Sequence, residues 1–253
     1  MFIDTHCHLS KEDYEDIDFI LKENKEKGIS KIIISGCDRA SIDESIELSK
    51  NYSDIYLTLG YHPSEATITT DSDLEKLEDL ISSNDLKIVG IGEIGLDYHY
   101  GKEDIDLQKN LFRKQMSLAS KYKLPVVIHS RDATEDTINI LKEFPDIRGD
   151  IHCFSGSIET ARIYIEMGYK IGIGGVVTFK NSNLFKVVED IGIKNILLET
   201  DSPYLAPVPF RGKINSSKYI PLIAERISKI LNISLDDVAT ITTENAFDMF
   251  DLK

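Results

Sequence analysis

The chain has 253 residues, 42% of them hydrophobic and 28% charged, with 29 basic against 43 acidic side chains. That length suits one large core, the apolar fraction excludes wholesale disorder, and no apolar run approaches the ~20 residues of a membrane span. A formal charge of −14, with no block of Lys and Arg, argues against long tracking along a duplex. It leaves either no nucleic-acid partner or a small site with another source of positive charge. The N-terminus lacks the basic-then-apolar pattern of a signal peptide, and three cysteines, Cys7, Cys37 and Cys153, make no disulfide framework. A cytoplasmic protein with no membrane contact and no obligatory protein partner is the expectation.

Short Ile/Val-rich runs alternate with helical patterns along the whole chain. Strands are predicted at 2–6, 31–35, 55–60, 87–93, 125–129, 148–152, 169–174 and 195–199. Helices are predicted at 14–27, 39–50, 72–83, 104–122, 132–143, 157–167 and 183–190, with two closing helices at 216–231 and 235–250. In the fourth helix Leu111, Phe112, Gln115, Leu118, Ala119 and Tyr122 fall on one face. Ser234, three residues before the acidic Asp237, reads as the N-cap of the last helix. Continuously apolar strands, each followed by a helix, imply parallel pairing covered on both faces. A repeat of about 30 residues fits a single-domain α/β chain folded as a (β/α)8 TIM barrel with additional C-terminal helices; a doubly wound open sheet is the competing fold.

Five of the six histidines, His6, His8, His62, His129 and His152, fall at or within two residues of a predicted strand end. Glu93 ends the fourth strand run and Asp201 follows the eighth. In a barrel all strand C-termini open on one face, so these residues converge where such folds keep their chemistry. His6 and His8, one residue apart on an extended strand, point the same way. Cys7 between them then points away, and the same parity sets Cys153 opposite His152, so both cysteines are expected to pack rather than ligate. A lone histidine at a strand end usually caps it by hydrogen bonding; a set of His6, His8, Glu93, His129, His152 and Asp201 instead suits two divalent ions.

The motifs are DTHCHL (4–9), GYHP (60–63), GEIGLDY (92–98), LPVVIHSRDA (124–133), HCFSG (152–156), ETDSPYL (199–205), RGK (211–213) and TENAFDMF (243–250). On these the chain resembles the TatD family of metal-dependent deoxyribonucleases, within the amidohydrolase-like barrels. The resemblance implies hydrolysis of DNA phosphodiesters, with exonucleolytic action on single-stranded ends, by water activated between two divalent ions (Mg²⁺, Mn²⁺ or Zn²⁺). It implies that His6, His8 and Asp201 hold one ion, that His129 and His152 hold the other, and that Glu93 bridges. Asp201 would also orient or deprotonate the attacking water.

His62, Arg131 and Arg211 are candidates for gripping substrate phosphate, each with a structural role as its alternative. Asp97 and Tyr98 are candidates for positioning ligands or stacking on a base, and Tyr204 for shaping the pocket; His99 is set aside. Lys87 begins its strand and faces the other end of the barrel, unlike the modified lysine of wider relatives. After RGK many members continue Arg-Asn-Glu-Pro, whereas this chain reads Ile214, Asn215, Ser216, Ser217, which leaves the loop's grip and rigidity open. GIGEIG at 90–95 is not followed by a helix and is not a dinucleotide fingerprint. Two alternatives stand: the same centre acting on an ester or amide, such as an aminoacyl ester on transfer RNA, or a non-catalytic binding barrel. Two divalent cations against Glu93 and Asp201 leave about +2 in the cleft, so a phosphate can be drawn in locally.

Overall fold

The computed structural model describes residues 1–83, 86–101 and 103–252. Eight parallel strands pair strictly in chain order. They are β1 (Phe2–Cys7), β2 (Ile29–Gly36), β3 (Ile55–Leu59), β4 (Ile88–Asp97), β5 (Val126–Arg131), β6 (Gly149–Ile151), β7 (Tyr169–Ile173) and β8 (Ile196–Leu198). The helices between them are α1 (Ile17–Glu26), α2 (Arg39–Asn51), α3 (Asp71–Ser82), α4 (Ile105–Tyr122), α5 (Thr134–Lys142), α6 (Ile158–Glu166) and α7 (Leu184–Ile191), and α8 (Ile220–Leu231) and α9 (Leu235–Phe250) close the chain. Consecutive order rules out the doubly wound sheet, whose strand order reverses.

The seam between first and last strands is closed by Thr5 Oγ1, which donates to the Leu198 carbonyl at 3.1 Å. Above it Asp201 N donates to His6 O at 3.0 Å and His8 N to Ser202 O at 2.7 Å. The seam thus fixes the loop after β8 directly onto the paired histidines.

Helix starts follow local chemistry. Asp38, Thr70 and Ser234 each accept from the backbone three residues on, with a reciprocal side-chain bond back to the cap. α1 begins at Asp16, a better N-cap than any residue of 14–15, so it is shorter than the apolar pattern suggests. Ser217–Tyr219 form a 3₁₀ turn before α8, and α4 buries Met116 on its inner face while Leu118 is only half-buried.

Two apolar clusters result. The larger lies between the strands and the surrounding helices. The smaller fills the barrel interior: Ile3, Ile33, Tyr56, Val89, Val127 and Leu197 meet Ala246, Met249 and Phe250 of α9. The last helix therefore plugs the N-terminal end of the barrel, and the opposite end carries the polar side chains. Lys87 donates to Tyr52 O and Ser53 O, away from those polar side chains, as its place at the strand start dictates. No described helix is long and apolar enough to cross a membrane.

Candidate metal centre

Six residues predicted from sequence meet in one cluster at the C-terminal end of the strands. His6 and His8 come from β1 and the turn after it, Glu93 from β4, His129 from β5, His152 from just after β6, and Asp201 from the loop after β8. Glu93 does not end its strand: β4 runs on to Asp97, with a pairing irregularity between Ile91 and Ile94. Gly95 permits this close course, since its φ is +141° and a Cβ there would lie 2.0 Å from the His129 carbonyl oxygen.

The donor atoms form two sets. In the first, His6 Nε2 lies 3.3 Å from His8 Nε2, 3.5 Å from Glu93 Oε2 and 3.7 Å from Asp201 Oδ1. His8 Nε2 lies 3.6 Å from Glu93 Oε2 and 3.7 Å from Asp201 Oδ1. A tetrahedral ion with bonds of 2.0–2.1 Å has donor–donor edges of ~3.4 Å, so five of the six edges here have the size such an ion requires. In the second set, Glu93 Oε1 lies 2.8 Å from both His129 Nδ1 and His152 Nε2, which are 3.4 Å apart. Glu93 thus presents one oxygen to each set. Its ion-pair partners among the described residues are all histidines, a donor set that fits a divalent cation.

The far side of each ring decides which nitrogen is free. His8 Nδ1 faces the Ser35 carbonyl at 3.1 Å; a carbonyl only accepts, so Nδ1 carries a proton and Nε2 is the nitrogen left to face a metal. His129 Nε2 faces Asp97 Oδ2 at 3.2 Å and leaves Nδ1 toward Glu93, which gives Asp97 its role: it orients a ligand. His62 has the opposite arrangement. Its Nδ1 accepts from Ser64 N at 3.1 Å, so in the neutral ring Nε2 bears the proton, 3.7 Å from Glu93 Oε1. In that tautomer it is a hydrogen-bond donor aimed into the centre. Burial holds it neutral, pushing its pKa down to about 4.

Burial works against charge on Glu93 and His129 as well, but their partners prevail. His152 and His129 hold Glu93 well below the ordinary carboxylate range. Asp97 and Glu93 hold His129 up to about 9. A cation binding at His129 Nδ1 must displace that proton.

The centre lies at the floor of a cavity of about 680 Å³. Its wall includes His62, Ser64, Tyr100, Arg131, Cys153, Tyr204 and Leu205. Arg131 is the wall's cation among the described residues; its guanidinium lies 5.4 Å from the Tyr100 ring centroid. Arg211 does not join it: its guanidinium sits 4.5 Å from the Phe179 ring centroid, away from the cavity wall. Tyr98 also turns aside, donating to Asp136 at 2.8 Å, and His99 pairs with Asp132 at 3.1 Å.

Cys7 packs in the outer cluster, opposite the two histidines, and Sγ donates to Ile33 O. Cys153 departs from parity. β6 ends at Ile151, and Cys153 adopts a left-handed backbone (φ +46°) that places it on the cavity wall.

The altered loop is firmly held. Asn215, fully buried, donates through Nδ2 to Thr200 O at 2.8 Å and Tyr204 O at 2.7 Å, and accepts from Ser216 N at 2.9 Å. Asp4 beneath it accepts from Thr200 N at 3.0 Å and Thr200 Oγ1 at 2.6 Å.

The family model described as "TatD related DNase" matches residues 3–251. A Bacillus subtilis (strain 168) protein described as the uncharacterized metal-dependent hydrolase YabD is 42% identical over 254 residues, covering 99% of both chains. A Methanocaldococcus jannaschii protein, described as the uncharacterized metal-dependent hydrolase MJ1582, is 34% identical over 250 residues, 98% of this chain and 96% of its own. The crystal structure of YjjV, a TatD homologue from Escherichia coli K12, superposes with a TM-score of 0.92 at 30% identity, covering 100% of this chain and 98% of that one. A TatD-family hydrolase from Entamoeba histolytica superposes with a TM-score of 0.89 at 27% identity, covering 98% and 97%. With its donor clusters and this likeness over its whole length, the chain belongs to the TatD-related DNase family of metal-dependent hydrolases.

Proposed function

We propose that this hydrolase cleaves DNA phosphodiester bonds, removing nucleotides from single-stranded ends with two divalent cations, Mg²⁺, Mn²⁺ or Zn²⁺. The observation that carries this reading is Glu93, whose two oxygens face two adjoining donor sets, 3.5 and 3.6 Å from His6 and His8 on one side and 2.8 Å from His129 and His152 on the other. A pair of cations held there would supply Lewis acidity, making water the attacking nucleophile and stabilising the leaving oxygen of a phosphoester.

The chain's own residues do the rest. Asp201 stands at the edge of the first set with its carboxylate open to the cavity, where it orients the attacking water and takes its proton. His62 donates from Nε2 to a phosphate oxygen as charge builds there. Arg131 grips a neighbouring phosphate, and the exposed Tyr100 and Tyr204 rings on the wall offer base-stacking surfaces suited to a single strand. Arg211, off this wall, is left for more distant backbone contact. The reducing cytoplasm suits the three unpaired cysteines.

The test is to strip metal with chelator, restore Mg²⁺, Mn²⁺ and Zn²⁺ separately, and follow 3′- and 5′-labelled single strands beside an aminoacyl ester. Metal is expected to restore end cleavage, and Asp201→Asn to slow it by about 10²-fold or more. Unchanged cleavage by Asp201→Asn removes the proton-accepting role. Ester hydrolysis without strand cleavage under every metal moves the substrate away from DNA.

A further inference from the structure

Each ligating imidazole must present a lone pair inward, so its other nitrogen carries a proton that needs a buried acceptor. His8 has the Ser35 carbonyl and His129 has Asp97, while His6 Nδ1 is buried without a hydrogen-bond partner or a facing carboxylate ion pair among the described residues. His152 Nε2 faces Glu93, and its Nδ1 is buried without a hydrogen-bond partner. The nearest ion-pairing atom is Glu199 Oε2, at 3.9 Å, and it too is buried and unpartnered. Glu199 is completely inaccessible, and its other oxygen, Oε1, accepts from Cys153 N at 2.5 Å. The carboxylate is therefore fixed at one end with its free oxygen turned to the ring. Gly172 makes the room: a Cβ there would lie 2.5 Å from Glu199 Oε2 and 3.0 Å from His152 Cα.

We propose that Glu199 is a positioning residue, accepting the Nδ1–H of His152 when Nε2 binds a cation and so fixing that ring's tautomer and aim. This rests on the reading of Glu93, His129 and His152 as one cation position. The 3.9 Å gap closes by about 1 Å to reach hydrogen-bond length, a shift within reach of the Glu199 side chain. Glu199 must accept from both sides, from Cys153 N–H and from His152 Nδ1–H. A glutamine offers only one acceptor atom toward the two donors, so an isosteric substitution still breaks the arrangement. Asp150, two residues before His152 on β6, is likewise buried with both oxygens unpartnered and is the competing acceptor.

Zn²⁺ affinity, measured by competition with a chromophoric chelator, distinguishes these. Glu199→Gln is expected to weaken one of two Zn²⁺ affinities 10- to 100-fold, with Asp150→Asn within threefold of the parent. In a His152→Ala background Glu199→Gln should add nothing. If Asp150→Asn weakens binding and Glu199→Gln does not, the assignment is overturned. A parent that binds no second Zn²⁺ refutes the underlying centre instead. Should Glu199→Gln fail to fold, ¹⁵N-histidine spectra of the Zn²⁺-loaded parent decide: His152 must be protonated at Nδ1 with a downfield N–H, and protonation at Nε2 overturns the proposal.

Discussion

Asn215 holds the segment from Thr200 to Tyr204, and Asp201 lies inside it. Asn215→Ala deletes both donor bonds, to Thr200 O and Tyr204 O, and the acceptor for Ser216 N. At about 1 kcal/mol net for each lost bond, the variant should be less stable by about 3 kcal/mol. For a chain of this size that corresponds to a fall of about 6–12 °C in Tm. Asn215→Asp keeps the shape but puts a carboxylate oxygen against two carbonyl oxygens, so it should cost at least as much. Urea unfolding in excess chelator measures this without the contribution of bound metal. A stability within about 0.5 kcal/mol of the parent for both variants refutes the assignment of Asn215 as the bracket of this loop.

Burial pushes the pKa of Asp4 up to about 6 against its bonds from Thr200 and the His6 backbone. Folding therefore favours its protonated form, and stability is lost as pH rises from the unfolded value of 3.8 through the folded one. At about 1.36 kcal/mol per unit, about 2 kcal/mol disappears between pH 4 and 7. Asp4→Asn, which can keep the contacts by reversing the Thr200 hydroxyl, should abolish that slope in metal-free unfolding curves; parallel curves for parent and variant disprove it. Gly172→Ala forces Glu199 or the His152 backbone aside and should cost about 1–3 kcal/mol, with weaker Zn²⁺ binding in chelator competition. Parental values for both would mean the chamber is not tight. Phe250→Ala hollows the plug inside the barrel and should destabilise by about 3–5 kcal/mol in urea, while metal-supported activity per folded molecule stays unchanged.

The fold was legible because eight apolar strand runs alternate with helical periods, and side-chain parity on β1 correctly set His6 and His8 against Cys7. Parity needs an extended backbone, which is why it failed at Cys153, where the chain turns left-handed just beyond β6. The end of β4 was hidden in the glycine-rich GIGEIG run, which carries no apolar alternation and contains a pairing irregularity. Ser35 acts through its carbonyl oxygen, so its side chain gave no signal of its part behind His8. Glu199 and Asp150 each lie two residues before a predicted ligand. Reading parity backward from His152 would have turned Asp150 toward the same interior, whereas Asp201 is itself left-handed and gives no such parity for Glu199. Arg211 shows the converse limit, since a motif fixes a residue's place in the chain but not the direction of a long flexible side chain.

The seam between β1 and β8 also bears on biosynthesis. His6 and His8 are made first and Asp201 nearly last, joined by bonds spanning more than 190 residues, such as Thr5 to Leu198 and Asp4 to Thr200. A growing chain carries the paired histidines through most of translation without Asp201, the last member of their donor set. Contacts so distant in sequence form slowly, and α9 must still seat in the barrel after them. Completion of the first donor set is thereby tied to a nearly finished polypeptide, and a chain truncated before residue 201 lacks Asp201 from that set.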